Sequence, residues 1–139
     1  MFVFDYPIRV RYADTDQMNV VYHANYATFF EIGRTESIRS LGVTYREMEE
    51  MGIEMPVTEI DIRFLRPARY DDLLTVRTTL RELPHNHRIE FWQEIFNEAG
   101  KLITSGRVTL YFLDRETKKR SSMPEALMQR LQPFFPPAP

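Results

Sequence analysis

Two carboxylates and a histidine stand close together in the part of the sequence best suited to chemistry. Asp14 and Asp16 are two residues apart, and His23 follows them. They lie after an alternating stretch that predicts a strand and before an amphipathic stretch that predicts a helix. Because the first N–H groups of a helix have no partner within it, such a loop places donors near the carboxylates. A carboxylate could activate a nucleophile while the N–H donors stabilise an oxyanion.

The same residues also allow structural interpretations. Aspartates before a helix commonly bond backbone N–H groups of their own turn, and the spacing alone favours that explanation. For His23 we favour a structural side chain, since a helix N-terminus disfavours the charged imidazole. Glu31 falls outside the apolar face of the predicted helix, where a solvated pair with Arg34 explains it as well as catalysis does. A metal site is not expected, because the loop offers too few oxygen ligands.

Residue periodicity predicts the elements that position this loop. An alternating strand precedes it at about residues 8–12. A helix should run from Asn25, as its N-cap, to about Leu41. Gly33 lies within the apolar face of that helix at a cost of about 1 kcal/mol relative to alanine, so we expect a sheet to approach closely there. The later elements are a short helix over 44–52, strands at about 60–64, 74–81, 88–96 and 102–113, and a short final helix around Pro124.

These elements predict one α+β domain. Short turns between the later strands require antiparallel neighbours, which indicates a meander. A single long helix and a single sheet can bury their apolar faces only against each other. We therefore expect an antiparallel sheet wrapped around one long central helix over residues 1–132. Residues 133–139 form a proline-rich tail that we expect to be extended or disordered.

Composition limits the possible partners. The chain has 139 residues, a net charge of −2 and no cysteine, which excludes disulfides, thiolate catalysis and thiolate zinc sites. The charge offers no general attraction to nucleic acid or to an anionic membrane. No signal-peptide pattern and no apolar run of about 20 residues is present, so we expect a soluble, cytoplasmic protein. Phosphate groups would need a local basic cluster, for which Arg66, His87 and Arg88 are candidates, although a solvated surface is the simpler interpretation.

A longer pattern around the loop resembles a known family. It comprises YxDTDxxxVVYHxNY over residues 12–26, FFE over 29–31, RTE over 34–36 and PARYDDL over 67–73. This pattern is similar to that of the hotdog-fold acyl-CoA thioesterases, in particular the 4-hydroxybenzoyl-CoA thioesterase group and its relatives that act on short acyl-CoA. The match spans about residues 6–128, and the fold that it implies agrees with the one predicted above.

The resemblance implies a role for each loop residue. Asp16, and not Asp14, matches the family's catalytic carboxylate, which acts as nucleophile or general base. His23 matches the position whose backbone N–H faces the thioester carbonyl. Glu31 is a secondary candidate, because a second branch of the family uses a helix glutamate. The residues expected to face the acyl group near a subunit boundary are Tyr22, Asn25 and Tyr26.

The reaction implied by the resemblance is hydrolysis of an acyl-CoA to a carboxylic acid and free CoA. It needs no metal and no cofactor, and the family forms homodimers that assemble into homotetramers. The chain departs from many relatives at Met18 and Asn19, which replace a glycine pair and leave the identity of the acyl group open. The sequence also leaves open whether the carrier is CoA or acyl carrier protein. Two alternatives are a hydratase or dehydratase on the same fold, whose different catalytic motif is not found here, and a non-catalytic acyl-CoA binding module.

Overall fold

The computed structural model describes residues 1–137, which contain three α-helices and seven strands. In chain order these are β1 (Phe2–Arg9), α1 (Asn25–Ser40), α2 (Tyr45–Glu50), β2 (Ile53–Glu54), β3 (Val57–Phe64), β4 (Leu73–Leu80), β5 (Arg88–Phe96), β6 (Leu102–Tyr111), β7 (Leu113–Asp114) and α3 (Glu125–Leu131). The predicted α+β class is confirmed. The short strands β2 and β7 had no periodic signal, since each has only two residues.

Five strands form one antiparallel sheet in the order β1-β4-β5-β6-β3, and β2 pairs with β7. Strands β4, β5 and β6 form a meander as expected. The prediction is wrong for β3, which pairs with β6 and not with β4. The cause is the connection over residues 65–72, which turns back along the loop before α1. There the Val21 N–H donates to Ala68 O at 2.8 Å, and the Asp71 N–H donates to Val10 O at 3.0 Å.

Helix α1 crosses one face of the sheet and carries the centre of the core. Phe30 and Ile38 of this helix are completely buried. The predicted close approach at Gly33 is confirmed, because a Cβ added there would lie 2.6 Å from Val76 Cγ1. Gly106 of β6 allows the same closeness from the sheet side, where an added Cβ would lie 2.7 Å from the Phe30 ring. The helix and the sheet therefore pack with little space for other side chains between them.

Two predicted boundaries near the loop are wrong. β1 ends at Arg9 because Val10 turns away from β4 and bonds residues 71 and 72 instead. Residues 12–14 form a 3-10 turn and not the end of a strand. Asn25 is the first residue of α1 and not its N-cap, because its side-chain amide donates to a loop carbonyl instead of accepting a helix N–H.

Strand β3 lies at the edge of the sheet, and its own chain leaves most of its apolar side chains exposed, although Ile62 is half-buried against the core. Helix α1 packs mainly over β1 and β4, which lie at the opposite edge of the sheet from β3. Val57, Ile60 and Phe64 are consequently 43%, 44% and 52% exposed. The alternation in β3 correctly predicted a strand, but most of the apolar face that it marks is exposed to solvent.

The C-terminal residues pack partly against β1. Gln132–Phe134 form a 3-10 turn, and the Phe134 ring lies edge-on to Phe2 with centroids 5.0 Å apart. Phe135 is half-buried against the core. The first part of the expected tail is therefore not extended, because its two phenylalanines find apolar surface. Residues 138 and 139 of that tail lie outside the described residues. No helix within residues 1–137 is long and apolar enough to cross a membrane.

Candidate active site

A single carbonyl closes the loop between β1 and α1. Asp14 O accepts the Tyr22 N–H at 2.9 Å and the Asn25 side-chain amide at 2.8 Å. Thr15 and Val21 also face each other in an isolated antiparallel bridge. The intervening segment is therefore a small turn held against the first residues of α1. The Asn25 side-chain amide therefore holds the loop closed through its hydrogen bond to Asp14 O.

The Asp14 side chain stabilises the loop itself. It is 3% exposed, and it accepts hydrogen bonds from the Arg11 backbone N at 2.8 Å, Nη2 at 2.9 Å and Nε at 3.3 Å. Burial acts to raise the pKa of Asp14, but the contacts with Arg11 outweigh it and hold the pKa below its ordinary value. The carboxylate therefore stays ionised and directed at its own chain, as the turn interpretation predicts for this residue.

The Asp16 side chain is placed differently. Its Oδ1 accepts the Met18 N–H at 2.9 Å, and its backbone N–H donates to Val20 O at 2.9 Å. Asn19 closes this turn in the left-handed region with a φ of 64°, which asparagine tolerates better than most residues. Within residues 1–137 the Asp16 carboxylate forms no ion pair, and its Oδ2 accepts no hydrogen bond. This half-buried carboxylate therefore keeps one oxygen for a ligand.

The start of α1 supplies free donors seven residues further along the chain. Ala24 occupies the N-cap position and offers no side-chain cap. In the part of the chain that the structure describes, the N–H groups of His23 and Ala24 have no acceptor. The next one, from Asn25, donates to Tyr22 O at 2.9 Å. Two unpaired N–H groups at the positive end of a helix can hold a polarised carbonyl oxygen or an anion.

Aromatic side chains surround the helix start. The His23 ring lies 4.4 Å from the Tyr22 ring and 6.1 Å from the Phe64 ring, measured between centroids. The Tyr26 ring lies 5.7 Å from the Phe64 ring and 5.9 Å from the Phe29 ring. Burial raises the pKa of Tyr26, so its phenol is unsuited to releasing a proton near neutral pH. Phe64 comes from the edge strand, and no pattern in the sequence connects it with this loop.

Glu31 and Arg34 do not form the solvated pair that one interpretation of the helix suggested. Glu31 is exposed, whereas Arg34 is only 4% exposed. Arg34 Nη1 donates to Gln93 Oε1 at 3.2 Å, and Gln93 Nε2 in turn donates to Phe30 O at 2.8 Å and to Thr78 Oγ1 at 3.0 Å. The prediction that Arg34 lies away from the apolar face is wrong, because a buried glutamine on β5 accepts its guanidinium.

The three basic residues proposed for phosphate do not lie together within one chain. Arg66 follows β3 and donates to Leu102 O at 2.9 Å. His87 and Arg88 stand at the opposite end of the sheet, where Arg88 pairs with Tyr111. Leu102 and Tyr111 are the first and last residues of β6, so the separation is roughly 30 Å at about 3.3 Å for each strand residue. The pKa of His87 is lowered by burial and by nearby Arg120 and Arg88, which disfavours its positive charge.

The fold and the loop together define a class of protein. A sheet wrapped around one helix, with an unpaired carboxylate on the loop that leads to the helix start, is the arrangement expected of a hotdog-fold thioester hydrolase. Within residues 1–137, no three histidine, aspartate or glutamate side chains converge in a way that could hold a metal ion.

Comparison with known proteins leads to the same class. The thioesterase-like superfamily matches residues 10–131. An acyl-CoA thioester hydrolase of Escherichia coli is 29% identical over 126 residues, which cover 91% of this chain and 93% of the relative. The crystal structure of a DHNA-CoA thioesterase from Staphylococcus aureus is 35% identical with a TM-score of 0.82, over 97% of this chain and 85% of that one. A 4-hydroxybenzoyl-CoA thioesterase mutant in complex with 4-hydroxybenzoyl-CoA is 17% identical and shares the fold, with a TM-score of 0.81 over 94% of this chain and 99% of that one.

The chain belongs to the thioesterase-like superfamily. The match covers most of the chain, including the loop, α1 and the whole sheet from β3 to β6. The predicted hotdog fold and the predicted class of enzyme, a thioester hydrolase, are both confirmed.

Proposed function

We propose that this protein hydrolyses acyl-CoA thioesters at the loop before α1, with Asp16 as the catalytic carboxylate. The observation that carries the proposal is the contrast between the two loop aspartates. Asp14 is occupied by Arg11, whereas Asp16 has a free oxygen and no cation beside it. A carboxylate of the second kind can attack the thioester carbonyl or remove a proton from water.

In this proposal the free N–H of His23 stabilises the oxyanion that forms on the thioester carbonyl. A donor fixed at a helix start needs no reorganisation during the reaction, and losing one such donor typically costs about 3–4 kcal/mol of transition-state stabilisation. The imidazole of His23 is exposed beside Tyr22 and is not required as a base. Tyr22 and Tyr26 form walls of the acyl site, and Asn25 shapes it by holding the loop to Asp14 O.

Glu31 is the second candidate for the catalytic carboxylate. It lies on α1 about two turns beyond His23, and it is exposed without an ion pair in the part of the chain that the structure describes. We rank it below Asp16 because Asp16 stands on the same loop as the free donors. Substitution of each carboxylate by its amide, assayed separately, decides between them.

The acyl group of the substrate is the least constrained part of the proposal. Similar proteins are named for 1,4-dihydroxy-2-naphthoyl-CoA and 4-hydroxybenzoyl-CoA, so aromatic acyl groups are the first to test. The exposed Met18 side chain stands beside Asp16 and adds apolar surface at the site. CoA is the proposed carrier, and a cytoplasmic location remains a prediction.

Two copies of the chain should complete the site by pairing their β3 edges. Exposed apolar side chains on an edge strand call for a partner. An antiparallel pair of β3 strands would place Phe64 of one copy beside the Val57 end of the other. Arg66 would then approach the partner subunit's His87 and Arg88, which one chain alone keeps far apart. The dimer supplies a place for CoA phosphates, and a further association into tetramers follows the family pattern.

The test is release of free thiol from a panel of aromatic and aliphatic acyl-CoA thioesters by the purified protein. The proposal expects turnover of at least one acyl-CoA. Hydration of an enoyl-CoA with the thioester intact would indicate the hydratase alternative, and tight binding without product would indicate a binding module. A parallel preparation of the Asp16→Asn variant separates the activity of this protein from that of a contaminating thioesterase.

A further inference from the structure

Gln93 is a completely buried polar side chain between the sheet and α1. It lies on β5, the central strand of the five-stranded sheet. Its Nε2 donates to Phe30 O at 2.8 Å and to Thr78 Oγ1 at 3.0 Å, and its Oε1 accepts from Arg34 Nη1 at 3.2 Å. Both N–H groups and the oxygen of the amide are therefore hydrogen-bonded.

Two of these three partners belong to α1. The Phe30 carbonyl and the Arg34 guanidinium are four residues apart, which is about one helical turn. The helix does not need Gln93 to satisfy its backbone, because a carbonyl inside an α-helix already accepts the N–H four residues further on. A fully hydrogen-bonded polar group inside a core makes one arrangement of its neighbours more favourable than others. Gln93 therefore acts on the position of α1 and not on the formation of the helix.

Gly33 allows the amide to reach the helix backbone. A Cβ added at Gly33 would lie 3.3 Å from Gln93 Nε2 and 3.1 Å from Thr78 Oγ1. Apolar packing against the sheet is non-directional, whereas an N–H···O hydrogen bond requires a distance of about 3 Å and a nearly linear geometry. The contacts of Gln93 therefore fix α1 along and around its axis, which the apolar contacts alone do not.

The position of α1 decides where the free N–H groups at its start lie. His23 precedes Phe30 by seven residues, which is about 10.5 Å along a helix axis. The helix start has no side-chain cap, and the loop holds it through the amide of Asn25. Asp16 is held separately, by the hydrogen bonds of its own turn. A shift of α1 on the sheet would therefore move the His23 N–H relative to the Asp16 carboxylate.

We propose that Gln93 is a positioning residue for the hydrolysis, which fixes α1 on the sheet so that the His23 N–H meets the oxyanion. This inference rests on the proposed function and adds to it a residue on the opposite side of the helix–sheet interface from the loop. Gln93 acts through α1 and does not touch the substrate. Because the oxyanion forms only in the transition state, loss of the positioning contact should lower kcat and leave KM nearly unchanged.

The experiment compares Gln93→Met, Gln93→Glu and Thr78→Ala with the wild type in thiol release from an acyl-CoA. Gln93→Met removes all three hydrogen bonds, whereas Gln93→Glu keeps an oxygen for Arg34 but has no N–H for Phe30 O. Since a misplacement of about 1 Å can cost roughly 10²-fold in rate, we expect both to lower kcat by about tenfold. KM should stay within about twofold of the wild-type value. Thr78→Ala removes the third partner of the same amide without adding bulk beside Gly33, and its kcat should stay within about twofold of wild type.

Two further readouts separate positioning from stability and from turnover. The urea midpoint should fall in all three variants, since each loses a buried hydrogen bond. A merely structural role would lower this midpoint without changing kcat. The amide chemical shifts of residues 23–26, measured by NMR, should change in both Gln93 variants and stay close to wild type in Thr78→Ala.

Three kinetic results would overturn the proposal: wild-type kcat in both Gln93 variants, an equal loss of kcat in Thr78→Ala, or a rise in KM alone. If Gln93→Met does not fold, Gln93→Glu decides the question, because its carboxylate can pair with Arg34. Unchanged chemical shifts at residues 23–26 in the folded Gln93 variants would overturn the proposal as well. This last readout needs no turnover, so it still tests the position of α1 if the wild type hydrolyses no acyl-CoA and the proposed function fails.

Discussion

The paired substitutions Asp16→Asn and Asp14→Asn test whether the two loop carboxylates have separate roles. Both changes replace a carboxylate by an amide of almost the same shape. In Asp16→Asn the amide oxygen can still accept the Met18 N–H that Asp16 Oδ1 now accepts at 2.9 Å. The turn should therefore persist, and the free energy of unfolding should change by less than about 0.5 kcal/mol, as is usual for surface substitutions.

The expected kinetic loss for Asp16→Asn follows from the role of the missing group. Removing a general base usually lowers the rate by about 10²–10⁴-fold, which corresponds to roughly 2.7–5.4 kcal/mol of transition-state stabilisation. A role as nucleophile would give a loss at the upper end or beyond. The loss should fall on kcat, because the acyl and CoA parts of the substrate still have their contacts.

Asp14→Asn should show the opposite pattern. The substitution places an amide where three donors of Arg11 now meet a buried carboxylate. The charge-assisted bond from the Arg11 backbone is worth about 1.5–3 kcal/mol. The ion pair adds little, since the Arg11 side chain is 74% exposed. We expect the free energy of unfolding to fall by about 1–3 kcal/mol while most of the activity of the folded fraction remains.

The assays are thiol release at saturating and limiting acyl-CoA and urea unfolding followed by circular dichroism, on wild type and both variants. Near-wild-type turnover in Asp16→Asn would refute the assignment of the catalyst and move it to Glu31. An equal loss of kcat in both variants, with both fully folded, would refute the separation of roles. A destabilised Asp16→Asn would show that this carboxylate is structural as well.

Three further predictions concern packing, pH and assembly. Gly106→Ala should lower the free energy of unfolding in urea by about 1–3 kcal/mol, because its Cβ would lie 2.4 Å from the backbone oxygen of Asp61, which cannot move aside. The pKa of Asp14 is lowered on folding, so its contribution to stability is complete above the unfolded value of about 3.9 and disappears as pH falls through the folded pKa. Urea unfolding should therefore show the same difference in the free energy of unfolding between wild type and Asp14→Asn at pH 7 and 5, and a smaller difference at pH 3. Ile60→Lys should convert dimers to monomers in light scattering, whereas an unchanged mass would contradict pairing through β3.

Local features of the fold could be predicted from the sequence because they depend on neighbouring residues. The apolar face of α1 and the close approach at Gly33 follow from helical periodicity and from the missing side chain. The place of Asp14 in its turn follows from common aspartate chemistry before a helix. Pairing of β3 could not be predicted in the same way. It depends on the course of residues 65–72, whose bonds to the loop before α1 are not visible in any local pattern.

The site was less predictable than the fold because its surfaces come from distant parts of the chain. Phe64 contacts His23 and Tyr26 only because β3 ends beside the helix start. Arg34 is buried only because Gln93 on β5 accepts its guanidinium. Neither contact could be predicted from the residues that are near to its members in the sequence.

From periodicity alone, an arginine on a helix is predicted to lie on the solvated face. The apolar face of an alternating strand is predicted to lie in the core. Here Arg34 is buried and most of the apolar face of β3 is exposed. Both inferences fail for one physical reason. The charge or apolarity of a side chain determines which contacts are favourable for it, but not which part of the structure provides them. The proposed second copy covers the exposed strand, whereas the buried guanidinium is bound within the chain by Gln93 on β5. Only at the strand, therefore, does the failure of periodicity mark a place where this chain requires a second copy.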